Sequence, residues 1–113
     1  PGDVLIIISA TGRASQLMDC VEIAHHYRGH TIAITVPDSP LSGATDIALT
    51  TQVQEFHDAL TPSASRFAFL IIIDLIAAAT GYQLGDGARE NLRRIKFNMV
   101  STASNGKLEP LGE

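Results

Sequence analysis

Three hydroxyl residues and a glycine stand together near the start of this 113-residue chain, in the run Ile8-Ser9-Ala10-Thr11-Gly12-Arg13-Ala14-Ser15. Hydroxyls can donate to an oxyanion or accept from its protonated form, and glycine lets the backbone approach a ligand or take positive φ. A helix that opens just after such a turn presents N–H groups without intrahelical partners, and its dipole favours negative charge there. Ser9, Thr11, Gly12, Arg13 and Ser15 thus outline a phosphate site that needs no lysine. A hydroxyl cap on a helix following a core strand would use the same residues, and spacing alone does not separate the two readings.

Other residues with chemical potential are fewer. Glu55 and His57 form the acid and base pair that lies near a strand end, where sites gather in open α/β sheets; the competing reading is a pair of solvated loop residues. His25, His26 and His30 suggest a metal, but adjacent histidines on a helix point about 100° apart. No carboxylate sits at ligand spacing beside them, so the reading is a surface cluster near a helix C-terminus, where positive charge is mildly favoured. The single Cys20 excludes an internal disulfide and a multi-cysteine metal site, and is expected to pack as a small hydrophobe. No cofactor is expected.

These residues need a scaffold. Val4–Ile8 is a run of apolar, mostly β-branched residues, as in a parallel strand covered on both faces. Ala14–Arg28 carries Leu17, Cys20, Val21 and Ala24 at helical spacing, with Gly29 expected to end the helix. Thr31–Val36 reads as the second strand, stopped by Pro37, and Asp38–Leu41 as a turn, with Ser42 able to cap the short stretch leading to Ala44. Asp46–Thr50 is a third strand. Thr61 or Ser63 can cap, and Pro62 can open, a helix from Ser63 to about Thr80, ended by Gly81. That helix is apolar on nearly every side except Arg66 and Asp74, so it demands cover on more than one side. The apolar run Phe67–Ala79 is interrupted by Asp74 and too short for a bilayer crossing, which takes about 20 residues. Asp86–Met99 reads as an amphipathic helix with Glu90 and Arg94 paired, and residues 101–113 as a flexible tail.

Composition bounds the function. A hydrophobic content of 45% suffices for one core, and a net charge of −4 argues against gripping nucleic acid through its phosphates, which needs a basic face. The lone cysteine fits a reducing cytoplasm.

With Ile8–Ser15, the later runs Ala33-Ile34-Thr35, Asp38-Ser39-Pro40-Leu41, Ala44-Thr45-Asp46 and Leu60–Arg66 resemble, in order and at the right spacing over residues 2–100, the sugar isomerase (SIS) phosphosugar-binding domain. The resemblance is closest to the version at the C-terminus of RpiR-type bacterial transcription regulators. It implies a doubly wound three-layer α-β-α sandwich around a parallel sheet, here without its first strand, and a phosphorylated sugar at the strand-end loops. It implies dimers or higher oligomers, a phosphosugar ligand held by Ser9, Thr11, Gly12, Arg13, Ser15 and Glu55, and DNA binding only through a helix-turn-helix domain outside this chain. In the enzymes of the family a carboxylate near Glu55 is the base, so an aldose/ketose sugar-phosphate isomerase using Glu55 or His57 is the alternative to a non-catalytic effector domain.

Two departures from the family pattern stand out. The hydroxyl loop usually reads Ser-x-Ser-Gly-x-Thr/Ser, whereas Ala14 fills the last position and Ser15 comes one residue late. The earlier strand with its own Gly/Ser loop is absent, so the expectation is an open sheet edge, covered by another copy or belonging to a longer chain. A generic dinucleotide-binding domain is disfavoured because the first loop holds one glycine.

Overall fold

The branched run Val4–Ile8 forms a strand, β1, and the chain returns through a helix, α1 (Ser15–His26), to a second strand, β2 (His30–Thr35). A five-residue helix, α2 (Pro40–Ala44), leads to β3 (Ile47–Thr50), and two long helices follow, α3 (Ala64–Leu84) and α4 (Asp86–Ser104). The structure, a computed structural model, describes residues 1–53 and 64–104. These fall in two units, Pro1–Asp74 and Leu75–Glu113.

In the first unit the strands lie in the order β1-β2-β3, all parallel. Register places Ile7 beside Ala33, and Ala33 beside Ala48, on the face that α1 and α2 cover. There Ile7, Ala33, Val21 and Leu41 form the buried cluster, flanked by Leu5, Leu17, Met18 and Ala44. Small Ala33 at the centre lets the helices approach closely, and Leu41 fills the space above it. Thr31 and Thr35, two residues to either side of Ala33, share that face and are fully buried. Each spends its hydroxyl at one end of the sheet.

The amino ends of the strands are tied by Thr31. Its N–H and hydroxyl both donate to Asp46 Oδ2, at 2.8 and 3.1 Å, and its oxygen accepts from the Asp46 N–H at 2.9 Å. His25, near the end of α1, brings Nε2 to 3.0 Å from the same hydroxyl oxygen and 3.4 Å from Asp46 Oδ1. Since the Thr31 proton goes to Asp46, the His25 contact requires the tautomer with hydrogen on Nε2. Hydrogen bonds from Thr31 hold the Asp46 carboxyl below the usual carboxylate range, with the nearby His25 contributing further.

Several expectations are corrected here. The β1 strand is covered on one face: Ile7 is buried, while Val4, Ile6 and Ile8 are exposed on the other, the face that exposed Ile47 of β3 shares across β2. Cys20 is exposed, because the stripe facing the sheet is centred between Leu17 and Val21, and Cys20 lies about 80° from that centre. The α1 helix ends with Arg28, not Gly29, in the left-handed conformation (φ 58). Arg28 N–H donates to the His25 carbonyl and Gly29 N–H to that of Ala24, at 3.0 and 2.8 Å, the paired bonds of a Schellman turn. Gly29 answers to crowding instead, since a Cβ there would sit 3.3 Å from the Ala24 carbonyl oxygen. The capping serine of α2 is Ser39, in a reciprocal box with Ser42.

The α3 helix runs past Gly81 to Leu84 and stops at Gly85, whose φ is 69. A lone glycine inside a helix costs only about 1 kcal/mol, whereas a left-handed residue ends it. By length and composition α3 reaches what a bilayer crossing needs, longer than its uninterrupted apolar run suggested. Rather than being buried on several sides, it keeps Phe69 alone of its residues buried among those described. In the second unit α4 continues past Met99 to Ser104. Glu90 pairs with Arg93 and Arg94, both at 3.5 Å and on exposed side chains, so each pair contributes a few tenths of a kcal/mol at most.

Candidate anion site

The carboxyl ends of β1 and β2 carry the loop that the sequence singles out. Ser9 leaves β1 with its N–H donating to the Ile34 carbonyl at 3.0 Å, so the ladder between the two strands reaches one residue beyond β1. Its carbonyl accepts from the Thr35 hydroxyl at 2.7 Å. The chain then folds back, and the Gly12 N–H donates to Ser9 Oγ at 2.9 Å. Arg13 N–H makes a longer contact with Thr11 Oγ1, at 3.4 Å.

Gly12 is the pivot of this turn. It takes φ 64, and a Cβ there would overlap Ser39 and lie 2.8 Å from Thr35 Oγ1. The close approach also lets the Gly12 carbonyl accept from the Leu41 N–H at 3.0 Å. The loop after β1 is therefore locked to the loop after β2. Ser39 serves that second loop, donating to the Val36 carbonyl at 2.9 Å and accepting from the Ser42 N–H at 3.3 Å.

Ala14 occupies the N-cap of α1 in extended geometry and makes no side-chain cap bond. The N–H groups of Ser15 and Gln16, the first of the helix's opening turn, have no side-chain cap from Ala14, while that of Leu17 donates to the Ala14 carbonyl at 3.1 Å. No acidic residue stands in that turn to neutralise the positive end of the dipole. Ser9, Gly12 and the start of α1 are thus brought around one corner, with exposed Thr11, Arg13 and Ser15 at its rim. Residues 9–16 contain no carboxylate or imidazole, so what this stretch itself offers an oxyanion is hydroxyl and amide dipoles. Glu55 and His57 lie outside the described residues. The histidines show no group of three or more metal-ligating side chains among the described residues.

Sequence reasoning missed Thr35 and Ser39 as supports of the loop, and Thr31 with His25 and Asp46 as the clasp at the other end. Thr35 and Ser9 are far apart in sequence, and only the register of β1 on β2 brings them together. A cavity of about 270 Å³ lined by Asp3, Leu5, Ala24, Tyr27 and His30 sits at the amino ends of the strands, away from this loop.

Comparison with known proteins gives the family of the chain. The SIS domain family profile matches residues 1–101. The HTH-type transcriptional regulator HexR of Escherichia coli K12 is 39% identical over 97 residues, covering 84% of this chain and 33% of that protein. HexR of Pseudomonas aeruginosa is 31% identical over 101 residues, covering 89% of this chain and 35% of that regulator. The bifunctional protein glk of Paraburkholderia xenovorans is 33% identical over 76 residues, 67% of this chain and 12% of that protein. The chain thus spans about a third of the length of the two regulators it matches.

Proposed function

The chain belongs to the SIS domain family, and we propose that it is the phosphosugar-sensing part of a bacterial transcription regulator, non-catalytic and cytoplasmic. The observation that carries this reading is the corner between Ser9 and the uncapped start of α1, where the Ser9 hydroxyl proton has no partner among the described residues and Ala14 leaves the first amides of the helix without a side-chain cap. The regulator names of the two HexR relatives support the same direction. In this reading the phosphate rests on Ser9, Gly12 and the first amides of α1, with Thr11, Arg13 and Ser15 at the rim and Glu55 toward the sugar. DNA is contacted by a separate domain, since the net charge of −4 gives this segment no basic footprint.

The exposed apolar residues of α3, among them Phe67, Leu70, Ile71 and Leu75, are covered in solution by a second copy rather than by lipid. Residues 1–100 act as the ligand-binding segment and 101–113 as an appendage to it. A ligand changes operator affinity only by as much as it binds two states of the regulator differently. Calorimetric titration of sugar monophosphates into the complete protein, with operator binding measured in parallel, tests the reading. Saturable heat with a matching change in operator affinity is expected; absence of binding by every sugar phosphate would count against it.

A further inference from the structure

Ser9 has four polar positions, and three are already engaged. Its N–H goes to the Ile34 carbonyl, its own carbonyl receives the Thr35 hydroxyl at 2.7 Å, and its Oγ accepts from the Gly12 N–H at 2.9 Å. A serine hydroxyl has one proton to give, and no hydrogen bond among the described residues takes it. The hydroxyl rotates to meet a partner, but Oγ stays where the Gly12 N–H and the Ser9 backbone hold it, so its placement depends on what holds the Ser9 peptide. The bond that does so from below is Thr35, a side chain with no solvent exposure. The same Oγ1 also lies close to Gly12, where a Cβ would come within 2.8 Å of it.

We propose that Thr35 is a positioning residue of the anion site. Buried, it touches no ligand; it holds the Ser9 peptide so that the Ser9 hydroxyl donates to an oxyanion at the start of α1. This rests on the phosphosugar reading of that corner and adds to it the residue that sets its geometry. A merely structural threonine would lower stability when its hydroxyl is removed but would leave affinity untouched in the molecules that remain folded.

The test uses the complete protein and inorganic phosphate as probe, titrated calorimetrically into wild type, Thr35→Val, Thr35→Ser, Ser9→Ala and the double variant Ser9→Ala/Thr35→Val. Loss of one well-placed hydrogen bond to an anion corresponds to about tenfold in affinity. Thr35→Val is expected to bind about tenfold more weakly and Thr35→Ser to restore binding, while Thr35→Val adds no further loss once Ser9 is alanine. If Thr35→Val does not fold, Thr35→Ala carries the same comparison. Phosphate binding by Thr35→Val equal to wild type, or a loss that persists undiminished in the Ser9→Ala background, would overturn the proposal while leaving the site reading intact. A wild-type protein that binds no phosphate overturns both.

Discussion

Gly12 and Ser39 share a space that has no room for another carbon: a Cβ at position 12 would overlap the Ser39 side chain. Through this contact, and the bond from Leu41 N–H to the Gly12 carbonyl, the turn after β1 is held by the turn after β2. The Gly12→Ala variant meets both this crowding and an unfavourable left-handed φ of 64. It should cost about 1–3 kcal/mol, seen as a lower urea midpoint, and should abolish saturable phosphate binding. Unchanged stability and binding would show that the two turns are not locked together.

Ala14 stands where a hydroxyl residue usually caps a helix, in extended geometry with φ −68 and ψ 120. Ala14→Ser should stabilise the protein by about 0.5–2 kcal/mol, because the new hydroxyl can accept from a first-turn N–H. The gain should shrink in saturating phosphate, since cap and ligand compete for the same amides. A thermal melt with and without phosphate measures both effects.

Leu41 is buried over Ala33 and also supplies the N–H that meets the Gly12 carbonyl. Leu41→Ala keeps that N–H but empties the space beneath it. A loss of about 2–5 kcal/mol in chemical denaturation is expected. A variant as stable as the wild type would mean that α2 is not seated on the sheet as described.

Asp46 is held below the ordinary carboxylate range by its bonds from Thr31, with His25 adding to the effect. A carboxyl depressed in the folded state contributes stability that is fully present above its unfolded value, near pH 3.9, and is lost as pH falls through the folded value. Acid unfolding should therefore show a limb below about pH 4 that is shallower in Asp46→Asn. Superimposable acid curves for the two proteins would contradict this assignment. Because the carboxylate is half-exposed, added salt should weaken the His25 contribution more than the Thr31 bonds.

Much of this arrangement was legible in the chain itself. The branched run at residues 4–8, the alternation of strand and helix, and the hydroxyl-glycine turn are local patterns, and each stands where local propensity put it. The features that were not legible depend on register or on what lies beyond an element. Thr35 reaches Ser9, and Asp46 reaches Thr31 and His25, only after the parallel strands align. Cys20 fell outside the buried stripe because apolar spacing fixes the stripe's existence better than its centre. Glycine favours left-handed ends, which points to Gly29 and Gly81 as stops, whereas Arg28 and Gly85 adopt that conformation.

An oxyanion held at the corner between Ser9 and the start of α1 underlies the function proposed for this chain. The most direct measurement is a crystal structure of the complete protein with a hexose monophosphate, with the phosphorus located by its anomalous signal. The expected peak lies within hydrogen-bonding reach of Ser9 Oγ and the Ser15 and Gln16 amides. A phosphorus peak elsewhere, with that corner closed by packed side chains, would contradict it.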